Sequence, residues 1–157
     1  MQNTGKVHEN ISVAKGGAMG VLADIYVASE ANAADYDSDP ARFRSESGSW
    51  KRFTILELSM LWAFLQCHEW NVDLMDSFTN VLLRDGGERM IFRLPDEFLY
   101  DVMAADDGKA GEVVRQWAAT EEVGCDPAEV RPFFEGLKRL AEIAVCSGRG
   151  VYLWNCV

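Results

Sequence analysis

Residues 67–70 read Cys-His-Glu-Trp, the densest grouping of chemically capable side chains in the chain. A histidine of near-neutral pKa beside a carboxylate has the makings of a general base, and a neighbouring thiol those of a nucleophile. The spacing works against a dyad. Adjacent residues on a helix point about 100° apart, so Cys67 and His68 do not readily share a hydrogen bond. Read structurally, Cys67 belongs to the core and His68 to a helix C-terminus, where an imidazolium is favoured. Asp73 and Asp76 stand three apart on the next expected helix and can face His68 across the turn. Two carboxylates and an imidazole would hold a metal only weakly, and a solvated helix face is the plainer reading. His68, Glu69 and Asp73 are therefore the candidate catalytic residues. No metal site and no cofactor are expected.

Three other residues are candidates for binding. Arg149 lies between Gly148 and Gly150, just before the last apolar segment. It can receive an anion or a substrate carboxylate, or pair with one of the chain's many acids. The five tryptophans stand at 50, 62, 70, 117 and 154. Trp62, Trp117 and Trp154 occupy apolar periodic positions and read as core. Trp50 and Trp70 sit in polar surroundings at element ends, where a tryptophan serves as a contact anchor. No GxGxxG follows a strand, and there is no GxxxxGK[ST], HExxH or GxSxG.

The elements that must position these residues follow from pattern. Val21 to Ala28 is β-rich and bounded by Gly20 and Ser29, and reads as a strand. Ser29 is placed to cap a short helix through Ala34. Residues 36–49 are polar, with Pro40 and Gly48, and read as a long loop or flap. Thr54 and Glu57 form a capping box, with Phe53 and Leu58 as its hydrophobic staple. The helix that follows is expected to run to Trp70. It is apolar nearly all round, which predicts a central, covered helix. Asn71 or Asp73 can cap a second helix through about Leu83, striped by Val72, Met75, Phe78, Val81 and Leu82. The alternative is a hairpin, with 80–84 and 88–93 as arms around Gly86 and Gly87. Arg89 to Leu94 reads as a strand in either case.

Pro95, Asp96 and Glu97 open a further helix, and residues 109–119 form another. Asp126-Pro127 starts a long amphipathic helix to Cys146, closed by Ser147-Gly148. Val151 to Val157 is apolar on both faces, which suits an interior strand. Its natural neighbour is the strand 22–28. The expected fold is thus α+β (or α/β): a small sheet in which the N-terminal and C-terminal strands pair, packed with five to six helices.

This order of elements resembles the YfbM-like proteins, a bacterial family of unknown function. The matching pieces are ADIYVAS, LSMLWAFLQ, MIFRLPDEF and FFEGLKRLAEIAVCSGRGVYLW. The likeness covers most of residues 22–154. It implies a fold of the same α+β kind and implies no activity, since the family carries no established catalytic residues to transfer.

The totals bound the function. A chain of 157 residues suits one domain, here 19–157. Residues 1–18 have no apolar core of a secretory signal and read as a flexible extension, an expression remnant or a start codon placed too early. The formal charge is −10, and without residues 1–18 it is −11, from 13 basic and 24 acidic side chains. Such a field repels phosphate backbones and anionic lipid, so neither nucleic acid nor a membrane is the expected partner. A basic protein is. The four cysteines show no CxxC spacing and read as reduced core residues of a cytoplasmic protein. The expectation is a small acidic protein-interaction domain, immunity-like or regulatory, rather than an enzyme. The alternative is a small enzyme or small-molecule binder with a site near His68.

Overall fold

A computed structural model describes residues 20–157. The extension expected over 1–18 lies outside the described residues. Ten elements follow in order: β1 (Leu22–Ala28), β2 (Ser47–Lys51), α1 (Ile55–Gln66), α2 (Val72–Asp76), β3 (Thr79–Arg84), β4 (Arg89–Arg93), α3 (Asp96–Ala104), α4 (Asp107–Ala118), α5 (Pro127–Ser147) and β5 (Gly150–Cys156). The five strands form one antiparallel sheet in the order β2-β1-β5-β4-β3. The fold is α+β.

The terminal strands pair along their whole length, from Leu22 opposite Cys156 to Ala28 opposite Gly150. Val151, Tyr152 and Leu153 are buried, as an apolar strand in the middle of a sheet must be. Asn155 is the polar exception. Its Nδ2 donates to the carbonyls of Leu22 (3.1 Å) and Phe53 (2.8 Å), which offsets the cost of burying an amide.

Alternation along β1 and β5 divides the sheet into two unlike faces. Ala23, Ile25, Val27, Val151 and Leu153 meet the helices in the main core. Phe53, Trp117 and Phe133 meet there with ring centroids 4.4–5.7 Å apart. Trp117 is fully buried, and its Nε1 donates to the Glu57 carbonyl at 2.8 Å. Tyr26, Ala28, Ile91 and Tyr152 lie on the opposite face, packed with Ala33, Tyr36 and Phe43 from the connection 29–46.

That connection corrects the expectation of a loop. The short helix expected to begin at Ser29 is instead a turn, followed by 3-10 segments over Ala33–Asp37 and Pro40–Glu46 and by the edge strand β2. The polar composition concealed two rings, Tyr36 and Phe43, that bury against Tyr26.

The second expected helix is also corrected. Asn71 caps it, but it ends at Asp76, and residues 79–93 form the β3–β4 hairpin. Asp85, Gly86 and Gly87 turn it with φ of 53°, 69° and 102°. Two of these three positions are glycine, which adopts such values without strain. Pairing with β3 also satisfies the outer backbone of β4, which a helix would have left bare. The cysteines are corrected in part. None is disulfide-bonded, but only Cys125, half-buried, packs against the core: Cys67 and Cys146 are exposed and Cys156 is half-buried.

Candidate functional site

The capping box at the start of α1 is present. Thr54 N and Oγ1 donate to Glu57 Oε1 at 2.8 and 2.7 Å, and Thr54 Oγ1 accepts from Leu56 N at 3.2 Å. The end of α1 comes four residues earlier than its apolar pattern suggests. Cys67 takes the left-handed conformation (φ 59°), and the amides of Cys67 and His68 donate back to the carbonyls of Phe64 (3.1 Å) and Ala63 (3.0 Å). This pair of bonds closes the helix as a Schellman turn. The position is usually glycine, so a cysteine there gave no stop signal. His68, Glu69 and Trp70 therefore lie beyond the helix, all exposed.

Trp70 then folds back. Its Nε1 donates to Ser59 Oγ at 2.8 Å, and Ser59 Oγ donates to the Leu56 carbonyl at 2.8 Å. The indole is pinned at one edge and remains 39% exposed. Between it and α1 is a cleft of about 600 Å³. Met60, Ala63, Phe64 and Trp70 supply its apolar surface, and His68, Glu69 and Gln116 its polar rim. A second hollow of about 370 Å³ adjoins it, sharing Cys67 and Gln116 and adding Lys109, Glu112 and Val113 of α4.

The six candidate residues fall in separate places. His68, Glu69 and Trp70 share the cleft. Asp73 is exposed on α2 and does not line it, and its backbone amide donates to the capping Asn71 Oδ1 at 2.8 Å. Trp50 is half-buried on β2, with its ring edge-on to Phe133 at 5.0 Å and wedged against Gly136. A Cβ on Gly136 would come within 3.0 Å of that ring, so the glycine makes the room. Arg149 is at the end of the sheet where β5 begins. Its Nη1 and Nη2 donate to Glu46 Oε1 and Oε2 at 2.8 and 3.0 Å, and its Nε to Ser147 Oγ at 2.8 Å. The guanidinium holds the Glu46 carboxyl below its usual pKa, against the smaller opposing effect of burial.

No hydrogen bond joins Cys67, His68, Glu69 and Asp73 to one another among the described residues, and no group of three or more His, Cys, Asp or Glu there is placed to hold a metal ion. The cleft surface is largely apolar, and the thiol, imidazole and carboxylate that line it are not hydrogen-bonded to one another.

One polar centre escaped the sequence reading. Asp37, whose side chain is 3% exposed, accepts from Trp154 Nε1 and Arg89 Nε, both at 2.9 Å, with Arg84 at 3.4 Å. Burial raises its pKa, but the bonds from Trp154 and Arg89 and the two positive charges outweigh that and leave it lowered. Beside it, Tyr36 stacks on Tyr26 at 4.1 Å and donates to Asp24 Oδ2 at 2.7 Å. Burial raises the pKa of both phenols. Trp154, expected in the core, is only half-buried because it stands over this centre. The signal available in sequence was the pair of rings, Tyr36 and Phe43, inside an acidic stretch.

Comparison of the chain with protein-family models, with curated proteins and with solved structures gave no match. No helix among the described residues is long and apolar enough to cross a membrane.

Proposed function

We propose that this chain is a protein-interaction domain, immunity-like or regulatory in kind, that binds a basic protein at the cleft beside Trp70. One observation carries the reading: an accessible, largely apolar cleft has the exposed carboxylate Glu69 on its rim and two further exposed acids close by in sequence. Glu69 lines the cleft with Trp70, exposed Asp73 and Asp76 follow within six residues in sequence, and none of the three forms an ion pair among the described residues. An aromatic ring beside uncommitted carboxylates suits lysine and arginine side chains, whose stems pack and whose charges are met. The net charge acts in the same direction, attracting cationic surfaces and repelling nucleic acid and anionic lipid. A cytoplasmic site belongs to the same proposal, supported by four unpaired cysteines. The YfbM-like resemblance stands beside it as a proposal about fold alone.

The test is capture from native cell lysate on the immobilised full chain, at low and high salt, followed by affinity measurement with the purified captured protein. A basic protein released by high salt is expected. Its affinity should fall at least about ten-fold with Trp70→Ala and stay unchanged with His68→Ala. An empty column, or a partner indifferent to Trp70→Ala, sinks the reading.

The volume of the cleft favours one alternative. About 600 Å³ is within the usual range for small-molecule sites, and His68 and Glu69 are on its rim. On that reading a small ligand raises the melting temperature, and His68→Ala abolishes the shift.

A further inference from the structure

The cleft and its neighbouring hollow are two ends of one groove. Trp117, near the end of α4, bonds to the carbonyl of Glu57 in the first turn of α1. Gly108, at the start of α4, borders the same hollow as Cys67, just past the end of α1. The two helices therefore run antiparallel. Along α1 the groove is lined at 60, 63, 64 and 67, and along α4 at 109, 112, 113 and 116. Each set repeats at three and four residues, so each is a single helix face. Ala63 and Val113 are buried at the floor, and their small size leaves the space between the walls. Seven residues of α1 at about 1.5 Å each give a groove about 10 Å long, two helical turns.

Resting on the interaction reading above, we propose that this groove takes a basic amphipathic helix of the partner, which lies between α1 and α4 and completes a three-helix layer. The walls suit it on both counts. Met60, Phe64 and Trp70 meet an apolar stripe of i, i+3/i+4, i+7 anchors. Glu69 stands at the cleft end of the groove and Glu112, whose carboxylate is 3.5 Å from exposed Arg115, at the other, with Lys109 the one basic side chain that lines it. A second copy of this chain is a poor occupant, because each copy carries a charge of −10.

A displayed library of random 14-residue peptides, selected on the immobilised full chain, tests the proposal without a known partner. The expected survivors have apolar residues at i, i+3/i+4 and i+7, carry lysine or arginine between them, and turn helical on binding by circular dichroism. Their affinity should fall at least about ten-fold on the double variant Glu69→Lys/Glu112→Lys and hold on Glu142→Lys, an exposed site on α5 outside the groove. All three substitutions are at exposed positions, so the fold should persist, which melting curves check. Survivors that are basic but extended overturn the helix proposal and leave the interaction reading standing. Helical survivors that ignore the charge reversals overturn the placement in this groove. If no basic peptide survives, and the lysate column is also empty, both proposals fall.

Discussion

The two faces of the sheet are held by different physics. The helix-covered face is closed by Ala23, Ile25, Val27, Val151 and Leu153 against aliphatic and aromatic helix residues, with few polar contacts. The face under residues 29–46 has a small ring cluster, and directional bonds do the rest: Tyr26 to the Ala33 carbonyl at 2.7 Å, Tyr36 to Asp24, Trp154 and Arg89 to Asp37, and Arg149 to Glu46. The reason lies in the covering element. A helix satisfies its own backbone and can present a purely apolar stripe. A segment of short 3-10 turns cannot, and it must be pinned by side chains with specific partners. One face therefore rests mainly on apolar packing, and the other on directional polar bonds.

Substitutions on the two faces should differ in size and in kind. Trp117→Ala, at the centre of the helix-covered core, should cost about 3–5 kcal/mol in denaturant unfolding, through cavity formation and the lost bond to Glu57. A cost below about 1 kcal/mol would show that this core is not the main source of stability. Asp37→Asn should cost less, about 1–3 kcal/mol, because it removes charge-assisted bonds with little change of shape.

It should also change the acid limb. The pKa of Asp37 is lowered in the folded state. Its contribution is thus complete above the unfolded carboxylate value, about 4, and is lost as pH falls through the lower folded value. Wild-type stability should decline below about pH 4, and Asp37→Asn should flatten that decline. Identical acid limbs would assign the pH dependence elsewhere, Glu46 being the next carboxyl with a lowered pKa.

Glu46→Gln should cost up to about 1 kcal/mol, since both partners of this pair are about a third exposed and water screens them. The smallest effect is at the end of α1. Cys67→Gly relieves roughly 1–2 kcal/mol of left-handed strain and gives back about 0.4–1 through the freer unfolded chain. A gain of about 0.5 kcal/mol is expected by thermal or denaturant unfolding, from that difference. Destabilisation would mean that the thiol makes a contact worth more than the strain.

The site was legible only in pieces. Trp70 was marked by its polar surroundings, and His68 by being the one histidine after residue 18. Their company was not legible, because the end of α1 at Cys67 carries no glycine. Asp73 was expected to face the imidazole across the turn from a second helix reaching about Leu83, but α2 has five residues and Asp73 is exposed on it, away from the cleft. The partnership of α1 with α4 spans some fifty residues of sequence and leaves no local trace.

What the sequence by itself determined is whatever short-range chemistry dictates. Period and capping placed α1, α3, α4 and α5, since a helix is decided by neighbours within four residues. An apolar, β-rich run with no wet face fixed β5 as an interior strand paired with β1. Tertiary structure alone decided the rest: that residues 79–84 extend to pair with β4 when their own spacing suits a helix, that Asp37 meets Trp154 and Arg89 across the sheet, and that α1 and α4 leave a groove between them. In each case the deciding energy comes from groups far apart in the chain, and it outweighs the local preference that the sequence displays.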